Sequence, residues 1–169
     1  MKESELEYTL KNCSLHVLLM LTSRVLTRSG LGDAQILDRR HTKQKSRFGG
    51  HEILCETVVG DATYRTIVKV VNDTGRLRML DELAGSVIRM KADRGILVTP
   101  RRLSVRAVRN LSNYLGVHLE ALAGEAFAAQ LARFGIGVRS KGGVDYAFFS
   151  ALEDLSQKIL SFMREEVYD

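Results

Sequence analysis

Apolar residues recur near the start of the chain at steps of 4, 3, 4 and 3: Leu6, Leu10, Cys13, Val17 and Met20. That spacing marks one face of a helix and predicts one over residues 4–28, with Ser29-Gly30-Leu31-Gly32 as its end. The period then shortens. Residues 34–38 read as a short strand. Residues 51–59 and 63–71 read as two β-rich strands joined by a hairpin turn at Gly60-Asp61. A helical stripe returns over 76–91, and Gly95-Ile96-Leu97-Val98-Thr99 is an unbroken apolar run, the mark of a strand covered on both faces. Ser104 is placed to cap a helix over 105–115, Val117 to Glu120 is a further strand, and 124–133 a short helix.

Residues 137–145, with three glycines, read as a linker. The last helix, 146–167, carries Phe148, Leu152, Leu155, Ile159 and Phe162, again at steps of 4, 3, 4 and 3. The expected division is therefore a core over 1–136, then a linker and C-terminal helix over 137–169 that serves dimerisation or docking. The order of elements implies an α/β fold with a mixed central sheet flanked by helices, plus the C-terminal amphipathic helix.

Composition narrows the function classes. Two cysteines, Cys13 and Cys55, are too few for a disulfide framework and lack a metal-binding spacing. The acidic N-terminus lacks the layout of a secretory signal, and no apolar run approaches the roughly 18 residues of a membrane span. The expected setting is reducing and intracellular, cytoplasmic or nucleoid-associated, without a membrane partner. The net charge of +5 is concentrated. Arg39, Arg40, Lys43, Lys45 and Arg47 form one basic run, and Arg101, Arg102, Arg106 and Arg109 form another beside a helix start. Both are candidate contacts for DNA phosphates. Nucleotide-binding glycine loops, a nucleophile elbow and zinc spacings are absent from the sequence, and no small-molecule cofactor is expected.

Three strings carry a resemblance: Gly49-Gly50-His51-Glu52, Ile67-Val68-Lys69 and Gly95-Ile96-Leu97-Val98-Thr99, with Leu83-Ala84-Gly85 in the helix before the last. Together with the element order, they resemble the Mrr-like branch of the PD-(D/E)xK nuclease superfamily over roughly residues 5–134. The resemblance implies a restriction-endonuclease-like fold, double-stranded DNA as partner, and Mg²⁺-dependent endodeoxyribonuclease chemistry. Glu52 and Lys69 then stand at the catalytic positions, with Glu52 also a metal ligand. The string departs from the family pattern at both ligands: Glu52 replaces an aspartate, and Ile67 replaces a Gln or Glu and offers no oxygen. Glu56, on the same strand face as Glu52, is a candidate second metal ligand, and Glu5 or Glu7 of the first helix a further one. Such a site implies either altered catalysis or lost catalysis with DNA binding retained. A different class of function on the same fold is a noncatalytic protein-interaction module. For Glu52 and Lys69 the structural alternative is a simple ion pair; on either reading the heads lie within about 6 Å. The unassigned apolar stripe of the last helix suggests a homodimer.

Overall fold

The structure is a computed structural model that describes residues 2–31, 33–36, 51–73, 77–109 and 111–168, with only the backbone at 33–36 and 162–168. The basic run from Arg39 to Arg47 lies outside the described residues.

The N-terminal stripe is carried by two helices rather than one: α1, Glu5–Lys11, and α2, Leu15–Arg28. Each has its own cap. Ser4 and Glu7 form a capping box on α1, and Ser14 accepts from the Val17 amide to start α2. The stripe survives the break, because Leu6, Leu10, Cys13 and Val17 are all buried.

Five strands follow: β1 (Asp33–Ile36), β2 (His51–Val59), β3 (Ala62–Val70), β4 (Arg94–Thr99) and β5 (Leu119–Ala123). They form one mixed sheet in the order β1-β2-β3-β4-β5. The first three pair antiparallel, and β4 and β5 join in parallel. Helix α3, Leu77–Arg89, makes the crossover between β3 and β4 and covers one face of the sheet. Its Met79, Leu80, Leu83 and Val87 pack with Leu54, Ile67 and Leu97. On the opposite face, Ile53, Cys55, Val68 and Val70 pack with α1, α2, α5 (Glu125–Arg133) and the start of α6 (Tyr146–Tyr168). Gly95 lets α3 sit close to β4, since a Cβ there would lie 2.8 Å from Leu119 and 3.0 Å from both Leu83 and Val87.

Two further expectations change. The helix expected over 105–115 is a single turn, α4 (Val105–Val108), followed by a 3-10 turn at Leu111–Asn113. Only Ala107 of α4 is buried, so little packing energy extends the helix. Residues 137–145 hold a closed turn, with Val138 bridged to Val144 and both Ile136 and Val144 buried in the core. Gly137 has φ +74° and a Cβ there would meet the Phe149 ring at 2.7 Å, so only glycine allows this approach. Helix α6 then packs against α2. Phe149 and Leu152 are buried in the core, His16 Nδ1 lies 2.7 Å from Ser156 Oγ, and the Ser14 amide donates to Glu153. The first half of the C-terminal stripe is therefore covered by its own chain, while Leu155 and Ile159 remain 44% and 37% exposed.

Candidate functional site

In a strand, alternate side chains share a face. Glu52, Leu54 and Glu56 of β2 and Arg65, Ile67 and Lys69 of β3 all point toward the α3 side. The antiparallel register sets Glu52 opposite Lys69, Leu54 opposite Ile67 and Glu56 opposite Arg65. The Lys69 ammonium lies 3.7 Å from Glu52 Oε1 and 3.3 Å from Glu82 Oε2 of α3. Its side chain is fully buried, and among the described residues Nζ has no well-directed hydrogen bond. The cluster holds it by charge instead.

The Ser86 hydroxyl, one turn after Glu82, lies 2.8 and 2.9 Å from the two Glu52 oxygens. Arg89 donates to Ser86 at 3.1 Å. Glu82, Ser86 and Arg89 thus extend the site along one line of α3. Their spacing of four and three residues, beside the apolar stripe of Leu83 and Val87, is the sequence signal that would have found them.

The other candidates disperse. Glu56 lies four residues along the strand from Glu52, about 13 Å away, and its carboxylate accepts from Arg65 at 3.1 Å. One ion cannot bridge the two glutamates. Glu5 accepts from the Tyr146 hydroxyl. Glu7 is buried and accepts two bonds from Arg102, at 3.1 and 3.2 Å. The Arg102 guanidinium holds the Glu7 carboxyl below the usual carboxylate range. Arg102 is thereby committed to a carboxylate inside the fold, and Arg101 Nε donates to Asn72 at 2.9 Å. Arg106 and Arg109 remain exposed at α4.

A divalent cation such as Mg²⁺ asks for about six oxygen ligands in near-octahedral array. The described residues present two carboxylates, Glu52 and Glu82, already facing the charges of Lys69 and, through Ser86, Arg89. Charges of balanced sign fill the cluster, and Ile67 presents only alkyl groups from a fully buried position. Among the described residues no group of three His, Cys, Asp or Glu side chains converges to hold a metal. The donor set among the described residues does not fit a divalent ion.

No family model matches the sequence, and no curated protein matches it. Solved structures do. The MspJI restriction endonuclease, solved in complex with a 27-mer oligonucleotide, superposes with a TM-score of 0.57 over 87% of this chain at 16% identity. This chain has the restriction-endonuclease fold. The DNA modification-dependent restriction endonuclease AspBHI superposes with a TM-score of 0.55 over 95% of the chain at 11% identity. This nuclease-fold chain matches only 34% and 41% of the lengths of those two proteins. No helix among the described residues is long and apolar enough to cross a membrane.

Proposed function

We propose that this chain is a double-stranded DNA-binding domain of the Mrr-like branch of the restriction-endonuclease fold, in which the catalytic centre has become a closed ion-pair cluster. The observation that carries the reading is the Lys69 ammonium, fully buried between Glu52 and Glu82. In the family pattern this lysine orients a metal-bound water and meets the phosphate. An ammonium with no accessible surface meets neither. Its Coulomb energy goes into holding α3 on the sheet, and Ile67 completes the conversion by placing an alkyl group where a ligand oxygen would stand.

The fold and the basic residues support DNA binding. Arg101, Arg106 and Arg109 flank the end of β4, and the run from Arg39 to Arg47 precedes β2. Arg102 is a positioning residue for α1 rather than a phosphate contact. The expected division at residue 136 stays in this proposal only as a docking role for the part of α6 beyond Leu152, because the start of α6 packs in the nuclease-fold core. The homodimer rests on the part of α6 that its own chain leaves open, around Leu155 and Ile159.

The test combines a mobility shift of duplex DNA over a salt series with incubation of plasmid DNA in Mg²⁺ or Mn²⁺. The expected result is a shift that weakens steeply with salt and no cleavage in either metal. Cleavage abolished by EDTA would overturn the loss of catalysis. Absence of any shift would overturn DNA binding and favour the second reading, a protein-interaction module. That reading has its own observation: Val58, Val59 and Tyr64 near the tip of the β2–β3 hairpin are 70%, 61% and 51% exposed.

A further inference from the structure

We infer that a second surface, on the α2–α5–α6 side of the sheet and across it from Lys69, binds the phosphate backbone of duplex DNA; it rests on the DNA-binding reading above. Five exposed cations lie there, from three parts of the chain. Arg24 and Arg28 lie one turn apart on α2, Arg133 ends α5, and Arg139 and Lys141 stand in the turn closed by Val138 and Val144. The backbone bond from Arg139 to the Gly143 carbonyl, 3.0 Å, tightens that turn.

Phe134 and Phe148 link four of these groups. Arg28 donates to the Phe134 carbonyl at 3.3 Å, and the Arg133 guanidinium lies 5.8 Å from the Phe134 ring centre. The Arg24 guanidinium lies 5.4 Å from the Phe148 ring centre. Gly137, two residues before Arg139, approaches the same Phe148 ring, to which a Cβ would come within 3.6 Å.

Their electrostatic state sets them apart. Elsewhere Arg65, Arg94 and Arg102 each pair with a glutamate. None of these five pairs with a carboxylate among the described residues. Ring faces and a carbonyl orient three of the guanidiniums without neutralising them, and leave N–H groups for an oxyanion. Three acids on this side are bonded elsewhere: Asp145 accepts from the Phe148 amide at the start of α6, Glu153 accepts from the Ser14 amide, and Glu5 accepts from the Tyr146 hydroxyl.

The layout selects the ligand. The charges spread across elements from three parts of the chain and do not converge on one point, which suits a repeating polyanion better than a small anion. Phe134 and Phe148 lie beneath arginines, so neither is open to stack an unpaired base. Bonds from these cations go to phosphate and carry no base information.

The experiment measures binding to two short duplexes of unrelated sequence by fluorescence anisotropy over a salt series. It uses the full chain, a patch variant (Arg24→Gln, Arg28→Gln, Arg133→Gln) and a turn variant (Arg139→Ala, Lys141→Ala). The patch variant should bind tenfold or more weakly at about 0.1 M salt, equally for both duplexes. Its salt slope should flatten by roughly 0.9 for each phosphate that is no longer neutralised. The turn variant should shift in the same direction by a smaller amount. If the patch variant fails to fold, the turn variant decides alone, because its side chains are exposed. Wild-type binding with slopes unchanged in the variants overturns this surface and leaves the DNA reading intact. No binding by the wild type overturns both.

Discussion

Glu52 and Lys69 stand directly opposite each other across the antiparallel β2–β3 register, with their charged heads 3.7 Å apart and the lysine fully buried. Taking two ions out of water costs several kcal/mol each, and mutual attraction offsets this only while both are present. Removal of one partner is therefore worse than removal of both. Glu52→Gln should destabilise the fold by about 3 kcal/mol. Adding Lys69→Met to that variant should recover much of the loss. Urea unfolding of the four members of the cycle measures the coupling, and simple additivity would show that the pair contributes nothing.

Ile67 stands at the position where the family pattern carries a ligand oxygen. It is fully buried beneath α3. Ile67→Glu should not restore cleavage in Mg²⁺, because the new carboxylate would be buried beneath α3 away from solvent. It should lower stability by several kcal/mol, the cost of burying an unpaired polar group. A stable Ile67→Glu protein that cuts plasmid DNA would show that the cluster opens to metal.

The Glu7–Arg102 pair predicts an acid limb in the stability curve. The Glu7 carboxyl is held below its ordinary range, first by the hydrogen bonds from Arg102. The unfolded chain then takes up this proton at a higher pH than the folded one. The added stability is complete more than about a unit above the unfolded value of roughly 4.3 and is lost as pH falls through the folded value. The gap in denaturation midpoint between wild type and Glu7→Gln should therefore shrink between about pH 6 and about pH 3. A gap constant across that range would remove the pair from the pH response.

Both thiols should be inert in the folded protein. Burial pushes Cys13 up to about 12, with Glu153 adding to the effect, and burial also raises Cys55. Almost no thiolate then exists near neutral pH. Alkylation by iodoacetamide should be slow in buffer and fast in urea. Fast labelling without denaturant would mean that the α2 side of the core opens readily.

Helix α6 divides into two halves with different expected responses. Phe149→Ala removes a buried ring from the main core and should cost about 3–5 kcal/mol in unfolding experiments. Leu155→Glu with Ile159→Glu alters positions that remain partly exposed. That double variant should stay folded and should reduce a sedimentation mass near twice 18.9 kDa to the single-chain mass. A wild type that sediments at the single-chain mass would overturn the homodimer.

The local pattern of side chains determined the strands and the hairpin. Alternation over 51–71 and a turn at Gly60-Asp61 are enough to bring Glu52 to Lys69, because a short antiparallel hairpin leaves few registers open. The same pattern does not separate α1 from α2. An apolar stripe is indifferent to a one-turn break, and only the caps at Asn12 and Ser14 make it. The packing between distant segments decided what surrounds Lys69, what becomes of Arg102, and where the last helix lies. Glu82 and Ser86 reach the cluster only because the parallel β3–β4 crossover lays α3 over it. Arg102 meets a carboxylate 95 residues away in sequence and so leaves the set of unpaired cations. Arg24 comes to lie over the Phe148 ring, and Gly137, two residues before Arg139, approaches the same ring. Sequence spacing reports one element's faces, whereas a charge becomes paired, buried or exposed only when two faces meet.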